Sequence, residues 1–267
     1  MKPKKSLGQN FLANKKIAYD IVEAADLSME DVVLEIGPGK GVLTELMLEK
    51  AGKVFAVEKD DELAVFLKEK FSKEISEGKL VLLNDDILSF DPKDHGIIEL
   101  EYKLVANIPY YITGEIFRRF LSEVSSPSLM VLMVQKEVAQ RVLARDGKES
   151  ILSLSVKSYG KPHYIETVKA GNFYPKPNVD SAVLKINGIS HDFFRDFSSD
   201  LFFEVIKAGF SHKRKFLISN LKDHFEDISK EKFEEMFGLN NISVKSRAED
   251  ISLEQWKSFC LFLKNYR

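Results

Sequence analysis

Short apolar runs alternate with amphipathic stretches from residue 31 to residue 145. Each run has the length and composition of a buried strand, and apolar residues at helical spacing follow it. The runs lie at residues 31–36, 54–57, 80–83, 103–108 and 129–134. Such units in succession predict a parallel, doubly wound α/β sheet with helices on both faces.

Other patterns flank these units. Residues 6–12 are too polar for a regular element and predict an ordered loop, which leads into a helix over 14–26. Further runs at 164–169 and 181–186 predict two strands on either side of a proline-rich loop.

The pattern changes after Gly188. From Asp192 onward, apolar residues recur at helical spacing and strand runs are lacking. We therefore predict two domains, an α/β domain over 1–189 and a small all-helical domain over 190–267.

The composition is that of an ordinary globular protein. The chain has 267 residues, of which 44% are hydrophobic and 30% are charged. A single cysteine, Cys260, excludes an internal disulfide framework and favours a reducing compartment. No apolar run approaches the length of a membrane span, and the first residues lack the apolar segment of a signal peptide. We expect a cytoplasmic protein without a membrane partner, and a monomer as the default.

Basic residues are concentrated in two places, although the formal net charge is only −2. Residues 1–19 contain five lysines, residues 205–222 contain four lysines and one arginine, and neither stretch contains an acid. Basic clusters of this kind are what contact with a polyanion requires, and solvated surface is the alternative. The candidate RNA contacts are Lys4, Lys5, Lys213, Arg214 and Lys215.

Glycines follow the first strand of the series. Gly37, Gly39 and Gly41 open the next helix, so a ligand can approach the N-terminus of that helix closely. The dinucleotide-binding fingerprint requires its third glycine at position 42, where this chain has Val42. A dehydrogenase is therefore disfavoured.

Acidic residues end the next two strands. Glu58 ends the second strand, and a carboxylate there can accept both hydroxyls of a ribose. Asp86 or its neighbour Asp85 follows the third strand and can accept an amino hydrogen of adenine; the spacing leaves both candidates open. A nucleoside held without evident phosphate ligands favours S-adenosylmethionine over NAD.

The fourth strand stops at Asn107-Ile-Pro-Tyr110, at the same predicted sheet edge. The Asn107 oxygen and the Ile108 carbonyl can accept the amine hydrogens of a target adenine, while Tyr110 stacks on its ring. The loop over 172–181 offers Phe173 or Tyr174 as a second stacking ring. Because a sulfonium methyl is already a strong electrophile, the chemistry requires no metal.

These stretches resemble the KsgA-type ribosomal RNA adenine N6,N6-dimethyltransferases along nearly the whole chain. The matching stretches are Ser6–Leu12, Leu34–Thr44, Asn107–Tyr110, Val134–Val138, Phe173–Val183, Lys213–Leu217 and Arg247–Leu253. The resemblance implies a Rossmann-like class I S-adenosylmethionine-dependent methyltransferase domain and a C-terminal helical domain for RNA recognition. It also implies dimethylation of two adjacent adenosines in the 3′-terminal hairpin of small-subunit (16S) rRNA, in the immature 30S subunit.

The resemblance also assigns residues. It implies that the cofactor is contacted by Asn10, Leu12, Gly37, Glu58, Asp86 and Asn107, to which the glycine loop adds Gly39. It implies that the Asn107–Tyr110 motif, including Pro109, presents the target base and that Phe173 stacks on it. It favours Phe173 over Tyr174 and Asp86 over Asp85.

Two alternatives stay within this class of protein. Erm enzymes share the catalytic motifs and act on large-subunit rRNA, but Lys213–Leu217 and Arg247–Leu253 are more typical of the KsgA type. A small-subunit assembly factor with secondary catalysis is the other. The chain departs from the family at Glu149–Ser153, where Gly-Arg-Leu-Ser is frequent, and this puts an RNA contact from an arginine there in doubt.

Overall fold

The computed structural model describes residues 3, 4 and 7–266. The chain divides into two compact units. The first unit contains residues 1–140 and 160–190, and the second contains residues 141–159 and 191–267. No helix in the described part of the chain is long and apolar enough to cross a membrane.

The first unit contains all of the strands that the structure describes. They are β1 (Phe11–Leu12), β2 (Val32–Ile36), β3 (Lys53–Glu58), β4 (Leu80–Asn84), β5 (Tyr102–Asn107), β6 (Leu129–Gln135), β7 (Lys161–Val168), β8 (Phe173–Tyr174) and β9 (Ser181–Asn187). Seven of them form one sheet in the order β4-β3-β2-β5-β6-β9-β7. The strands from β4 to β6 in this order run parallel, whereas β9 is antiparallel to both of its neighbours.

Helices connect these strands. They are α1 (Lys15–Ala24), α2 (Val42–Lys50), α3 (Asp61–Lys70), α4 (Ser72–Ser76), α5 (Thr113–Arg118) and α6 (Lys136–Leu143), the last residues of which belong to the second unit. Fully buried residues of four neighbouring strands, among them Val33, Val54, Val105 and Val131, join one apolar cluster with α1 and α2. The parallel α/β sheet that the hydrophobic pattern predicts is therefore confirmed.

The strand order explains where a ligand can bind. The chain moves outward from β2 to β4 and then returns to the other side of β2 with β5. Ligands of open α/β sheets bind at the carboxyl ends of the strands where the order reverses in this way. Gly37, Glu58, Asp85 and Asn107 lie at that edge of the sheet, at or just after the ends of their strands.

The prediction that residues 6–12 form only a loop is wrong for its last two residues. β1 pairs in an antiparallel manner with β8, with Phe11 opposite Tyr174 and Leu12 opposite Phe173. The partner strand is far away in sequence, so the local polarity of this stretch could not indicate the pairing.

The second unit is helical. It contains α7 (Ile151–Lys157), α8 (Ser199–Gly209), α9 (Leu217–His224), α10 (Lys230–Leu239) and α11 (Leu253–Lys264). Its core is rich in aromatic residues, and the fully buried Trp256 ring fills the space beside Gly209, where a Cβ atom would lie 2.3 Å from the ring.

The residue range of this unit differs from that of the predicted domain, which was 190–267. The structure adds residues 141–159, including α7, which the sequence reading did not identify as a helix. This helix has only seven residues, and its start is defined by a capping box in which the Ser150 side chain accepts the Ser153 N–H and the Ser153 side chain accepts the Ser150 N–H. Within the unit, the partly buried Glu149 forms an ion pair with Lys157.

Candidate active site

The glycine loop joins β2 to α2 with left-handed backbone conformations. Gly37, Gly39 and Gly41 have φ values of 63°, 59° and 75°. A Cβ atom on Gly41 would lie 2.5 Å from the Phe71 ring, so this position requires glycine. A Cβ atom on Gly37 would meet nothing within 4 Å and would project into open space. The loop is therefore fixed at one end and leaves room for a ligand at the other.

Glu58 is buried at the end of β3, with 5% of its surface exposed. Its Oε2 accepts the Gly39 N–H at 3.0 Å and its Oε1 accepts the Asp60 N–H at 2.9 Å. Burial raises the pKa of this carboxyl, and the two backbone donors oppose the rise. Each oxygen keeps a further acceptor position, which two hydroxyls of a ribose can fill.

Glu35 lies near the end of β2, two residues before Gly37. Thr44 Oγ1 of α2 donates to its Oε2 at 2.6 Å. Burial raises the pKa of Glu35 to about 8, and the Thr44 hydrogen bond only partly offsets this. At neutral pH this side chain is therefore mainly a neutral carboxylic acid that ties β2 to α2.

Asp86 follows β4 and is held in its ionised form. Its Oδ2 accepts from Lys59 Nζ at 2.6 Å, and its Oδ1 accepts the Leu88 N–H at 3.0 Å. Burial alone would raise the pKa of Asp86, but the Lys59 hydrogen bond and the Leu88 amide outweigh it, so the pKa lies below its ordinary value. The neighbouring Asp85 is exposed and accepts the Asp86 N–H at 2.7 Å. Both carboxylates line the same cleft.

Asn107 ends β5 with its amide nitrogen fixed. Asn107 Nδ2 donates to the Asn10 carbonyl at 3.1 Å. Among the described residues nothing donates to Asn107 Oδ1, which leaves that oxygen as an acceptor for a substrate. Next to it, the Tyr110 hydroxyl lies 2.6 Å from Ser181 Oγ, so the aromatic ring is held from its far end. Burial raises the pKa of Tyr110, although the hydrogen bond to Ser181 opposes this.

Most of the predicted site residues meet in one cleft at the carboxyl edge of the sheet. The cleft encloses about 1160 Å³ of space, part of it open to solvent. Its walls include nine of the predicted residues, namely Asn10, Leu12, Gly37, Gly39, Glu58, Asp86, Asn107, Pro109 and Tyr110. Positions widely separated in the sequence therefore form one continuous surface.

Phe173 does not line this cleft. Only 4% of its surface is exposed, and it packs in the same apolar cluster as Leu12. Its neighbour Tyr174 is 65% exposed. This arrangement differs from the expectation that Phe173 faces Tyr110 as the second half of a stacking pair.

The predicted RNA contacts have different surroundings. Lys4 Nζ forms ion pairs with Asp60 at 2.7 Å and Glu62 at 3.1 Å, so it is already neutralised inside the first unit. Lys5 lies outside the described residues. The stretch over 213–215 is exposed in the turn between α8 and α9 of the second unit, where Lys215 pairs with Asp223 at 3.1 Å.

The sequence did not point to Asp60, Lys59 and Gln9 as parts of the site. In the structure Lys59 bonds to Asp86, Asp60 bonds to Glu58, and Gln9 bonds to Asp60. Asp60 could have been recognised as the N-cap of α3, because aspartate there commonly accepts an N–H of the first turn. The contacts to Lys4 and Gln9 bridge more than fifty positions and carry no local signal. Among the described residues, no cluster of His, Cys, Asp and Glu is placed to hold a metal ion.

The donor set fits an adenosyl cofactor. The edge of the doubly wound sheet presents open space beside Gly37, the Glu58 carboxylate with free acceptor positions, and the ionised carboxylate of Asp86. This combination of fold and site is that of a Rossmann-like methyltransferase.

Comparison with known proteins narrows this class. The family model described as ribosomal RNA adenine dimethylase matches residues 1–265. A ribosomal RNA small subunit methyltransferase A from Dehalococcoides mccartyi is 41% identical over 261 residues, which cover 98% of this chain and 88% of that protein. The chain belongs to the ribosomal RNA adenine dimethylase family. It is an S-adenosylmethionine-dependent rRNA adenine methyltransferase.

Solved structures agree with this assignment. A dimethyladenosine transferase from Plasmodium falciparum has a TM-score of 0.78 at 26% identity, covering 96% of this chain and 98% of that one. The 23S rRNA methyltransferase ErmE has a TM-score of 0.77 at 24% identity, and the match covers 97% of this chain and 100% of ErmE. The two proteins share a fold.

Proposed function

We propose that this protein dimethylates the N6 amines of two adjacent adenosines in the 3′-terminal hairpin of small-subunit (16S) rRNA. Its substrate in this proposal is the immature 30S subunit in the cytoplasm, and the protein acts as a monomer. The relative from Dehalococcoides mccartyi is named for the small subunit, which favours this target over the 23S rRNA named for ErmE.

The observation that carries the proposal is the state of Asn107. Its nitrogen is fixed by the Asn10 carbonyl at 3.1 Å, so its oxygen has one defined orientation at the cleft. An oxygen held in this way can accept a hydrogen from an exocyclic amine, and the Ile108 carbonyl can accept the other. These two acceptors localise the nitrogen lone pair and stabilise the positive charge that develops during transfer.

Residues of the cleft hold the cofactor in this proposal. Glu58 accepts the ribose hydroxyls, Asp86 accepts from the adenine amine, and the loop at Gly37 gives the space for close approach. When bound, S-adenosylmethionine supplies an electrophilic methyl group. Asn10 and Leu12 contribute the N-terminal residues of the chain to the wall of the cleft.

The target base is held by stacking. The hydrogen bond between the Tyr110 and Ser181 hydroxyls restricts the ring, so a base can stack on it at a small entropic cost. We propose Phe173 as the second stacking ring, which requires that base binding expose a side chain that is buried in the structure. The exposed Tyr174 is the alternative.

RNA is bound by the exposed cations of the second unit. The stretch over 213–215 carries three positive charges in a surface turn, as phosphate contacts require, and of these Lys215 is paired with a single exposed carboxylate, Asp223. Lys4 is not among the proposed RNA contacts, because its ammonium is already paired with the carboxylates of Asp60 and Glu62. The second unit is therefore proposed as the RNA-recognition part and the first as the catalytic part.

Replacing Asn107 by alanine tests the proposal. We expect Asn107→Ala to lower kcat by about 10²–10³-fold at saturating cofactor, because one preorganised acceptor is lost. RNA affinity should stay within about twofold, since phosphate contacts dominate it. Asn187→Ala is the matched control, because Asn187 also ends a strand and, among the described residues, its side chain bonds to His163 alone, at 3.0 Å. Unchanged turnover of Asn107→Ala would remove the assigned role.

A further inference from the structure

Asp60 is a buried carboxylate that the reaction does not use. It lies two residues after Glu58, and only 4% of its surface is exposed. Its Oδ1 accepts from Lys4 Nζ at 2.7 Å, and its Oδ2 accepts from Gln9 Nε2 at 2.8 Å. Its own backbone N–H donates to Glu58 Oε1 at 2.9 Å. One residue thus connects the proposed ribose carboxylate with the beginning of the chain.

The N-terminal segment, residues 7–12, is the part that Asp60 holds. The Lys4 backbone N–H donates to Gln9 Oε1 at 2.7 Å, so Lys4, Gln9 and Asp60 form a closed ring of hydrogen bonds. All six residues of the N-terminal segment line the cofactor cleft. Within it, the carbonyl of Asn10 fixes the Asn107 amide.

Helix capping does not account for these contacts. Asp60 is the N-cap of α3, and its Oδ1 accepts the Glu62 N–H at 3.1 Å. A cap requires one acceptor for an amide of the first turn, and serine or asparagine serves equally well. The bonds to Lys4 and Gln9 need both oxygens and the negative charge, and they reach across 56 and 51 positions.

We propose that Asp60 is a positioning residue that holds the N-terminal segment over the cofactor cleft through Lys4 and Gln9. This inference rests on the proposed cofactor site. Without the link, the segment samples open positions in which Asn10 and Leu12 no longer frame the cleft. Apparent affinity for the cofactor then falls in proportion to the fraction of closed molecules.

Variants can separate the two roles of Asp60. Asp60→Ser keeps an N-cap for α3 but cannot bridge Lys4 and Gln9. Gln9→Met breaks the ring and leaves Asp60 in place, so it tests the link even if Asp60→Ser folds poorly. Asp91→Ser is the matched control, because Asp91 caps a short helix through the Lys93 N–H and pairs with Lys93 Nζ at 2.9 Å, outside the cleft.

The experiment measures the Kd of S-adenosylhomocysteine by calorimetry and hydrogen exchange of the cofactor-free proteins. We expect Asp60→Ser and Gln9→Met each to raise Kd by about tenfold. In both variants the amides of the N-terminal segment should exchange faster, while the amides of α3 exchange as in the wild type. The control variant Asp91→Ser should show wild-type Kd and wild-type exchange. The double variant should bind no more weakly than Asp60→Ser alone, because both changes break one ring.

Two results would overturn the inference in distinguishable ways. If the wild-type protein binds S-adenosylhomocysteine and both variants bind within twofold of it, the positioning role is wrong and the proposed function stands. If the wild-type protein does not bind the probe at all, the proposed cofactor site is wrong, and the positioning role fails with it.

Discussion

Glu35 makes the stability of the first unit depend on pH in an unusual direction. Its carboxyl is buried against Thr44, and burial raises its pKa to about 8 from an ordinary 4.5. In the unfolded chain the same group loses its proton near the ordinary value. Between these two values the folded protein binds more protons than the unfolded chain, so the free energy of unfolding falls as pH rises.

The size of the effect follows from the two pKa values. Each pH unit within the window lowers the free energy of unfolding by at most about 1.4 kcal/mol. Across the whole window the ceiling is about 5 kcal/mol. Below the ordinary pKa the carboxyl is protonated in both states and the stabilisation is fully present, and the loss levels off about one pH unit above the folded-state pKa. Glutamine has nearly the same shape without the titration, so Glu35→Gln should remove this part of the pH dependence.

Urea denaturation of the wild type and of Glu35→Gln at pH 5, 6, 7 and 8 measures the difference. We expect the variant to gain on the wild type with each step in pH, and most of the gain to be complete by pH 8. Glu49→Gln, which changes an exposed carboxylate on α2, is the control and should follow the wild type. Parallel stability profiles for the wild type and Glu35→Gln would refute the reasoning.

Two further predictions concern RNA binding and the glycine loop. Alanine at all three positions of 213–215 should reduce the slope of log affinity for the rRNA hairpin against log salt by about 2, as expected when phosphate contacts are lost. Removing the exposed Lys68 and Lys73 should leave the slope unchanged, and an unchanged slope in the triple variant would exclude these contacts. Gly41→Ala should destabilise the fold by about 2–4 kcal/mol in urea denaturation, because its Cβ would lie 2.5 Å from a phenylalanine ring at a φ of 75°. Gly96→Ala has a similar φ of 72° with nothing within 4 Å, and we expect a loss of only about 1 kcal/mol; equal losses would show that the ring contact has no cost.

Much of the cleft could be predicted from the sequence because its residues follow strands. In a parallel sheet, the residues after successive strands share one edge, so the spacing of Gly37, Glu58, Asp86 and Asn107 was enough to bring them together. The acceptor role of Asn107 stays a prediction, as does the ribose role of Glu58.

The remaining features depend on contacts between distant segments. The pairing of β1 with β8 and the bonds from Asp60 to Lys4 and Gln9 have no local pattern. The burial of a side chain also cannot be recognised from the sequence. Nothing in the sequence around Glu35 indicates that burial raises its pKa to about 8. A choice between Phe173 and Tyr174 likewise depends on exposure, which only the folded chain defines.

The most direct test of the central claim is methyl transfer to intact ribosomal subunits. Unmethylated small subunits and, in parallel, large subunits are incubated with the protein and S-adenosylmethionine carrying a labelled methyl group, and the modified nucleosides are identified. The account predicts N6,N6-dimethyladenosine in the small subunit alone. Label in the large subunit would contradict it. The absence of label from small subunits to which the protein still binds would also contradict it.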